Sequence, residues 1–370
     1  MDFVRLAQPA FQRLKAYDPG HDLVALRRGS AGRELIELGS NENSYGCSPT
    51  VVPAIRAALA DVYRYPDPLG GDLKRALAAH WSIEPAQIIL GNGSHELLMQ
   101  IAQVFAGPGC EVVASQFGFA VYAIAAQAAG ARFVAAPALP ADAAIPRGHD
   151  LDAIAAAVGA DTRIVYLCNP NNPTGTWFAR RELEAFLDGL THDCLVVVDE
   201  AYNEYVDEPD IGTAVALLPR HPRLIVARTF SKAYGLAGLR IGYALAHPDL
   251  IAVLERVRES FNVNNLGLAA AEAALGDPLH VKHVRERNAL ERDWLADELG
   301  GRGFPAGPSQ TNFLLVDFGA DCARIEASLL KQGVVPRPMA GYGLPQHLRI
   351  TVGRRDENLA LLQALDQLRG

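Results

Sequence analysis

The chain has 370 residues, 49% of them hydrophobic and 21% charged, the profile of a soluble globular protein with material for two or three domains. Its net charge of −8 comes without any long basic run, which argues against a nucleic-acid surface and leaves anionic small molecules to local arginines. Five scattered cysteines with no CxxC pair suggest neither a disulfide framework nor a zinc site, so a reducing cytoplasm is the expected setting. The opening Met1-Asp2-Phe3-Val4-Arg5 carries an early acid and no long apolar core, so no signal peptide is expected. With no uninterrupted run of about 18 apolar residues, no membrane span is expected either.

In chain order, residues up to about Arg33 read as an arm broken by Pro9, Pro19 and Gly20. A strand is expected within Glu34 to Gly39, then a polar turn from Ser40 to Gly46, and a helix over Pro49 to Leu59 with Ser48 or Thr50 near its cap. Tyr63-Arg64-Tyr65-Pro66-Asp67-Pro68 is too rich in proline for a regular element and reads as an ordered loop. From Leu73 onward, helical and strand patterns alternate. Strands are expected at Gln87–Leu90, Glu111–Ala114, Arg132–Ala135, Ile164–Cys168, Cys194–Val198, Leu224–Ala227 and Ile241–Leu245. Helices are expected at His95–Phe105, Val121–Ala129, Leu151–Val158 and Arg180–Leu190, and a long one over Pro248–Val263. Continuously apolar strands alternating with helices predict an α/β fold whose mainly parallel sheet is covered on both faces. Beyond residue 260 the character changes: helices at Ala269–Leu275 and Val281–Leu299 precede two alternating stretches, Asn312–Val316 and His347–Val352, expected as half-exposed strands of an α+β layer. The expected organisation is an arm (1–40) joining the smaller domain, a large α/β domain (41–260) and a small C-terminal α+β domain (261–370).

Four loops, each after an expected strand, carry the chemistry. The strand Leu224–Ala227 leads into Thr229-Phe230-Ser231-Lys232, with Arg240 eight residues past the lysine. Open α/β sheets hold ligands at such strand ends. A lysine there can condense with an aldehyde, while Ser231 and Arg240 can hold a phosphate. An aldehyde and a phosphate on one small molecule describe pyridoxal 5′-phosphate (PLP). Gly91-Asn92-Gly93-Ser94 opens a helix whose free N–H groups form a second phosphate contact. Asn172, in the Asn-Pro-Thr-Gly turn, can donate to a phenolate oxygen; alone, it would as readily cap the next helix. Asp199 ends the apolar run Val196-Val197-Val198, where a carboxylate is costly to bury without a cationic partner. A protonated pyridine nitrogen is such a partner. Each loop alone has a plain structural explanation; all four in order at strand ends are hard to obtain from structural needs only.

With these motifs in place, the sequence resembles the PLP-dependent aminotransferases of the aspartate aminotransferase fold (fold type I), in their histidinol-phosphate aminotransferase branch. The resemblance runs over nearly the whole chain. It rests on Tyr17-Asp18-Pro19-Gly20, Ser40-Asn41-Glu42-Asn43, Arg64-Tyr65-Pro66-Asp67, Gly91-Asn92-Gly93-Ser94, Asn171-Asn172-Pro173-Thr174-Gly175, Asp199-Glu200-Ala201-Tyr202, the segment Arg228 to Arg240, and Leu348 to Gly353. It implies a seven-stranded-type sheet in the large domain. It also implies that Lys232 bonds the cofactor and then shuttles a proton, that Asp199 keeps the pyridine nitrogen protonated, and that Tyr202 and Asn172 hydrogen-bond the ring's O3′. Gly93, Ser94, His95, Ser231 and Arg240 would hold the phosphate and Phe119 would stack on the ring. Tyr45, Asn172, Arg337 and Arg349 would face the substrate. Tyr65 would reach the cofactor phosphate of a neighbouring subunit, which implies a homodimer. No metal is implied.

Three departures from the family pattern stand out: Ser44 where many relatives have proline, His95 where they have an acid, and Gln116-Phe117-Gly118 where a proline usually precedes the stacking residue. Residue 95 would act through its backbone, so the cofactor site is unaffected. The loop from Pro338 to Pro345 resembles a subgroup that can prefer aromatic amino acids. The resemblance therefore implies amino transfer between L-histidinol phosphate and 2-oxoglutarate, with a phenylalanine or tyrosine aminotransferase as the alternative. A PLP-dependent decarboxylase or C–S lyase on this fold is a more distant reading. A non-catalytic PLP-binding regulator would be expected to carry an added DNA-binding domain, for which the arm leaves no room, and a catalytically dead relative would tend to lose Lys232 or Asp199, both of which are present.

Overall fold

The computed structural model describes residues 3–12, 14–29 and 34–368. The parts of the expected arm at 1–2, 13 and 30–33 lie outside the described residues. Twelve strands are numbered in chain order: β1 Ile36–Glu37, β2 Ile88–Gly91, β3 Glu111–Ser115, β4 Arg132–Ala136, β5 Thr162–Cys168, β6 Leu195–Asp199, β7 Leu224–Thr229, β8 Gly242–Ala246, β9 Phe313–Asp317, β10 Val334–Val335, β11 Arg337–Pro338 and β12 His347–Thr351.

Seven of them form the large sheet in the order β2-β8-β7-β6-β5-β3-β4. Only β8 runs against its neighbours, pairing antiparallel with both β2 and β7. The remaining pairs are parallel, so β2, β3, β5, β6 and β7 all end at one edge. Side chains alternate along each strand. Val196, Val198, Leu224 and Val226 therefore enter one core layer, while Leu195, Val197, Ile225 and Ala227 enter the other. Helices close both faces, which is why these strands are apolar without interruption.

A second sheet, β11-β12-β9, is antiparallel. The short β1 pairs parallel with β10, and Leu38, just past it, joins the core of the C-terminal helices and strands. The long helix Pro278–Gly301 starts as its sequence dictates, with the Asp277 side chain capping the His280 N–H and proline in its first turn.

Two expectations are corrected. The helix over Pro248–Val263 stops at Leu254. Just beyond it, Glu255 bonds Lys74 and Arg258, and Arg258 reaches the Pro68 carbonyl and Asn262. These tertiary partners win over helical spacing, and Phe261 turns to a positive φ of 62°. The strands expected as half-exposed are instead covered on both sides: all of β12 is buried. Leu314, Val316, Leu348 and Ile350 face the C-terminal helices, while Phe313 and Arg349 face the large-sheet side. A further helix, Asn265–Leu275, follows residue 260 yet buries Ala270, Ala271 and Ala274 in a core layer of the large sheet.

Candidate active site

The shared edge of β2, β3, β5, β6 and β7 opens into a cavity of about 310 Å³, walled on its other side by the arm and β12. Lys232, in the loop after β7, points its Nζ at two backbone carbonyls, Ser40 O at 3.2 Å and Asn41 O at 3.3 Å. Burial, reinforced by the Arg349 guanidinium, pulls this amine down to about 7. Asp199 ends β6 at 3% exposure. Its Oδ2 accepts from the Tyr122 hydroxyl at 3.0 Å and its Oδ1 from the Ala201 N–H at 3.2 Å. Burial pushes its carboxyl up to about 6 against these hydrogen bonds. No cation hydrogen-bonds it among the described residues, so the carboxylate lacks the partner that its burial calls for.

Along the same edge lies an anion cradle. Gly93 takes a φ of 82° and leads into the helix Ser94–Phe105 with no side chain capping it. That φ is one that side-chain-bearing residues rarely adopt, and a Cβ here would push the Arg240 guanidinium away from the turn. Arg240 Nη1 lies 3.3 Å from Ser231 Oγ and 3.0 Å from the Ala237 carbonyl. Uncapped helix N–H groups, a hydroxyl and a guanidinium thus converge where a phosphate would sit.

The opposite wall is cationic as well. Arg349, in β12, donates through Nη1 to Asn172 Oδ1 and through Nη2 to the Gly39 carbonyl, both at 2.6 Å. Its buried Nε has no partner. Arg337 stands directly across the strand pair from Arg349 and donates to the Asp18 carbonyl. Neither arginine, nor Arg240, pairs with a carboxylate among the described residues. Tyr202 packs under Lys232, its hydroxyl accepting from Asn41 Nδ2 at 2.9 Å. Phe119 meets Tyr17 and Tyr122 edge-on.

A desolvated amine, a convergence of anion-compatible donors and a buried acid with no hydrogen-bonded cation among the described residues share one cavity. The family model for aminotransferase class I and II matches residues 33–365. The chain belongs to the aminotransferase class I and II family. It is 46% identical to histidinol-phosphate aminotransferase 2 of Pseudomonas aeruginosa, covering 99% of this chain and 98% of that one. It is also 46% identical to histidinol-phosphate aminotransferase 1 of Nitrosococcus oceani, covering 98% and 97%. Among solved structures, the histidinol-phosphate aminotransferase of Sinorhizobium meliloti in complex with pyridoxal 5′-phosphate superposes with a TM-score of 0.88 at 35% identity, over 98% of this chain and 97% of that one.

In this aminotransferase the cavity wall gathers Ser94, His95, Phe119, Asn172, Asp199, Tyr202, Ser231, Lys232, Arg240, Arg337 and Arg349, with Gly93 forming the turn beside Arg240. Two residues expected at the site lie elsewhere within the chain. Tyr45 packs beside Tyr202 and Phe313 and edge-on to His283, so the expectation that it faces the substrate is not met by this cavity. The Asn43 side chain accepts from its backbone N–H at 2.9 Å and fixes that turn. Tyr65 is 80% exposed and stacks on Phe261, outside the wall of its own chain's cavity. Sequence reasoning missed Tyr17, Ser40 and Asn41 as wall residues and Tyr122 behind Asp199. The polar turn from Ser40 is a usable signal, and Tyr17 lies in the Tyr17-Asp18-Pro19-Gly20 motif. Tyr122 carries no such mark, because helical spacing places it in the core.

Proposed function

We propose that this chain is a PLP-dependent histidinol-phosphate aminotransferase. It would convert L-histidinol phosphate and 2-oxoglutarate into imidazole acetol phosphate and L-glutamate. The observation that carries this reading is the pair Arg337 and Arg349, side by side on one wall with no carboxylate partner among the described residues and facing the Lys232 and Asp199 wall. Histidinol phosphate offers a phosphate and no α-carboxylate, whereas glutamate offers two carboxylates. One wall must serve both, and planar guanidinium forks pair with either group while staying charged.

The cofactor fits what is present: a helix N-terminus with Arg240 for its phosphate, a buried acid for its ring nitrogen and a desolvated amine for its aldehyde. When bound, PLP supplies an electron sink for charge developing on the donor's Cα. Lys232 would anchor it through Nζ and, as the free amine, would serve as the base and acid that moves the donor's Cα proton. Asp199 would hold the proton on the ring nitrogen, and Tyr202 and Asn172 would donate to the ring's phenolate oxygen. Ser94 and His95 backbone groups, Gly93, Ser231 and Arg240 would hold the phosphate, and Phe119 would pack against the ring.

The proposal includes a homodimer. Its support is an exposed apolar stretch, Leu59, Val62, Tyr63, Tyr65 and Leu69 with Phe261, more than single scattered surface residues require. Tyr65 would cross that interface to the partner's cofactor phosphate. We also propose that the large domain, expected to end at 260, extends to the start of the long helix at Pro278, since helix Asn265–Leu275 packs against helices Val51–Ala58 and Gly71–Trp81 of that domain. A reducing cytoplasm remains the proposed setting, supported by five unpaired cysteines.

A screen of amino donors against 2-oxoglutarate tests the substrate. Histidinol phosphate should be the preferred donor. Arg337→Ala should lower kcat/KM for it at least about tenfold, the loss of one hydrogen-bonded charge contact, and affect phenylalanine much less. Faster turnover of phenylalanine or tyrosine by the wild type would replace this reading with an aromatic aminotransferase.

A further inference from the structure

Asp199 is held by more than the strand it ends. We infer that Tyr122 is a positioning residue, whose hydroxyl fixes the orientation and charge of the Asp199 carboxylate for the cofactor's ring nitrogen. The inference rests on the PLP reading above.

The geometry leaves the hydroxyl little freedom. Tyr122 is completely buried and stacks on Tyr166 with ring centres 4.7 Å apart and planes within 4°. Tyr166 is itself anchored by its hydroxyl to the Leu98 carbonyl at 2.7 Å. From this stack Tyr122 donates to Asp199 Oδ2 at 3.0 Å, while the Ala201 N–H holds Oδ1 at 3.2 Å. One donor on each oxygen fixes the carboxylate's plane and leaves lone pairs for a third donor. The same phenol ring meets Phe119 edge-on at 5.9 Å. One side chain therefore sets both the acid under the ring nitrogen and the aromatic beside the ring.

Charge is the second half of the argument. A buried carboxylate drifts toward its neutral form unless donors favour the ion. The groups facing Asp199 are Tyr122 from its helix, Cys168 and Tyr166 from β5, the adjacent Glu200, Tyr202 from the turn after β6, and Lys232 from the loop after β7. Of these, Tyr122 makes the one side-chain hydrogen bond to the carboxylate. Without it, burial and Glu200 would push the acid further up, and a neutral acid cannot act as counter-ion to a protonated ring.

The test compares Tyr122→Phe with Tyr166→Phe in the holoenzyme. Both keep the stacked rings; only the first removes the donor on Asp199. Cofactor dissociation constants, pH titrations of the bound cofactor's visible absorbance, and thermal melts would be measured. Tyr122→Phe should weaken cofactor retention about tenfold or more and shift the absorbance midpoint, with Tyr166→Phe close to wild type in both. In an Asp199→Asn background, Tyr122→Phe should add little, since the two side chains act as one unit. Unchanged retention and midpoint in Tyr122→Phe, equal changes in Tyr166→Phe, or full additivity with Asp199→Asn would each assign Tyr122 to packing alone and overturn the inference. A wild type that takes up no PLP through Lys232 would instead overturn the functional reading, and this inference with it.

Discussion

Lys232 is an amine with two carbonyl neighbours and, among the described residues, no hydrogen-bonded carboxylate, and burial is what would make it reactive. An ordinary lysine loses its proton near 10.4, so very little is neutral at pH 8. With the folded value lowered to about 7, the neutral amine dominates above that pH and the ammonium below it. Capture of the cofactor aldehyde by the apoprotein should therefore speed up about tenfold per pH unit below pH 6, bend near 7 and flatten above 8. Stopped-flow absorbance would follow it, and a bend near pH 10 would mean that the amine is solvated. Lys232→Ala should show no covalent capture at any pH. At this scale the sequence was legible where chemistry and spacing coincide: a lysine after a strand, an acid ending one, a glycine turn before a helix. Tyr122 and Asn41 were not legible. Their roles come from a contact made across the fold, 77 residues away for Tyr122 and 161 for Asn41, and neither side chain departs from what a core helix or a polar turn would carry.

Among the elements, β8 shows how close packing shapes the cradle. Gly242 opens this strand, paired with Gly91 on one side and Thr229 on the other. A Cβ there would strike the Ser94 amide and come within 2.6 Å of the Gly93 carbonyl carbon. Those are backbone atoms of the phosphate turn and cannot rotate aside. Gly242→Ala should cost about 1–3 kcal/mol through overpacking and weaken cofactor binding by displacing the helix N-terminus. Calorimetry and a cofactor titration would show both; a variant with unchanged melting and affinity would mean that the turn yields freely. The strands of the large sheet could be read from sequence because burial on both faces writes itself as unbroken apolar runs. β9 and β12 misled for a related reason. Their alternation is real, but it separates an apolar core from a polar cavity rather than core from solvent. Helical spacing likewise continued past Leu254, where ion pairs with Lys74 and Arg258 ended the helix, and no local pattern announces a partner 181 residues away.

For the whole molecule, the proposed dimer gives the sharpest expectation. If Tyr65 serves the neighbouring subunit, a Tyr65→Ala chain still lends a sound Lys232, and a Lys232→Ala chain still lends a sound Tyr65. Mixing the two poorly active variants under subunit exchange should restore up to about a quarter of wild-type activity, since half of the dimers are hybrids with one complete site of two. Activity that stays at the level of the separate variants would mean that Tyr65 works within its own chain or not at all. No helix among the described residues is long and apolar enough to cross a membrane. A mainly parallel sheet covered on both faces followed from periodicity, whereas the strand order did not, and a partner surface is invisible to periodicity because exposed tyrosines and leucines in a loop read the same with or without a neighbour.

The pairing of Arg337 with Arg349 has one more consequence. Like charges directly opposite on an antiparallel pair repel each other, and here each guanidinium also ties down another piece of the chain. Arg337 holds the arm at Asp18; Arg349 holds Gly39 and the Asn172 turn of the large sheet. An anion seated between them would turn the repulsion into a bridge and tighten three seams of the molecule at once. Substrate and product, if the proposed wall holds them, would then be keystones as well as reactants, and the protein's rigidity would record what its arginines hold.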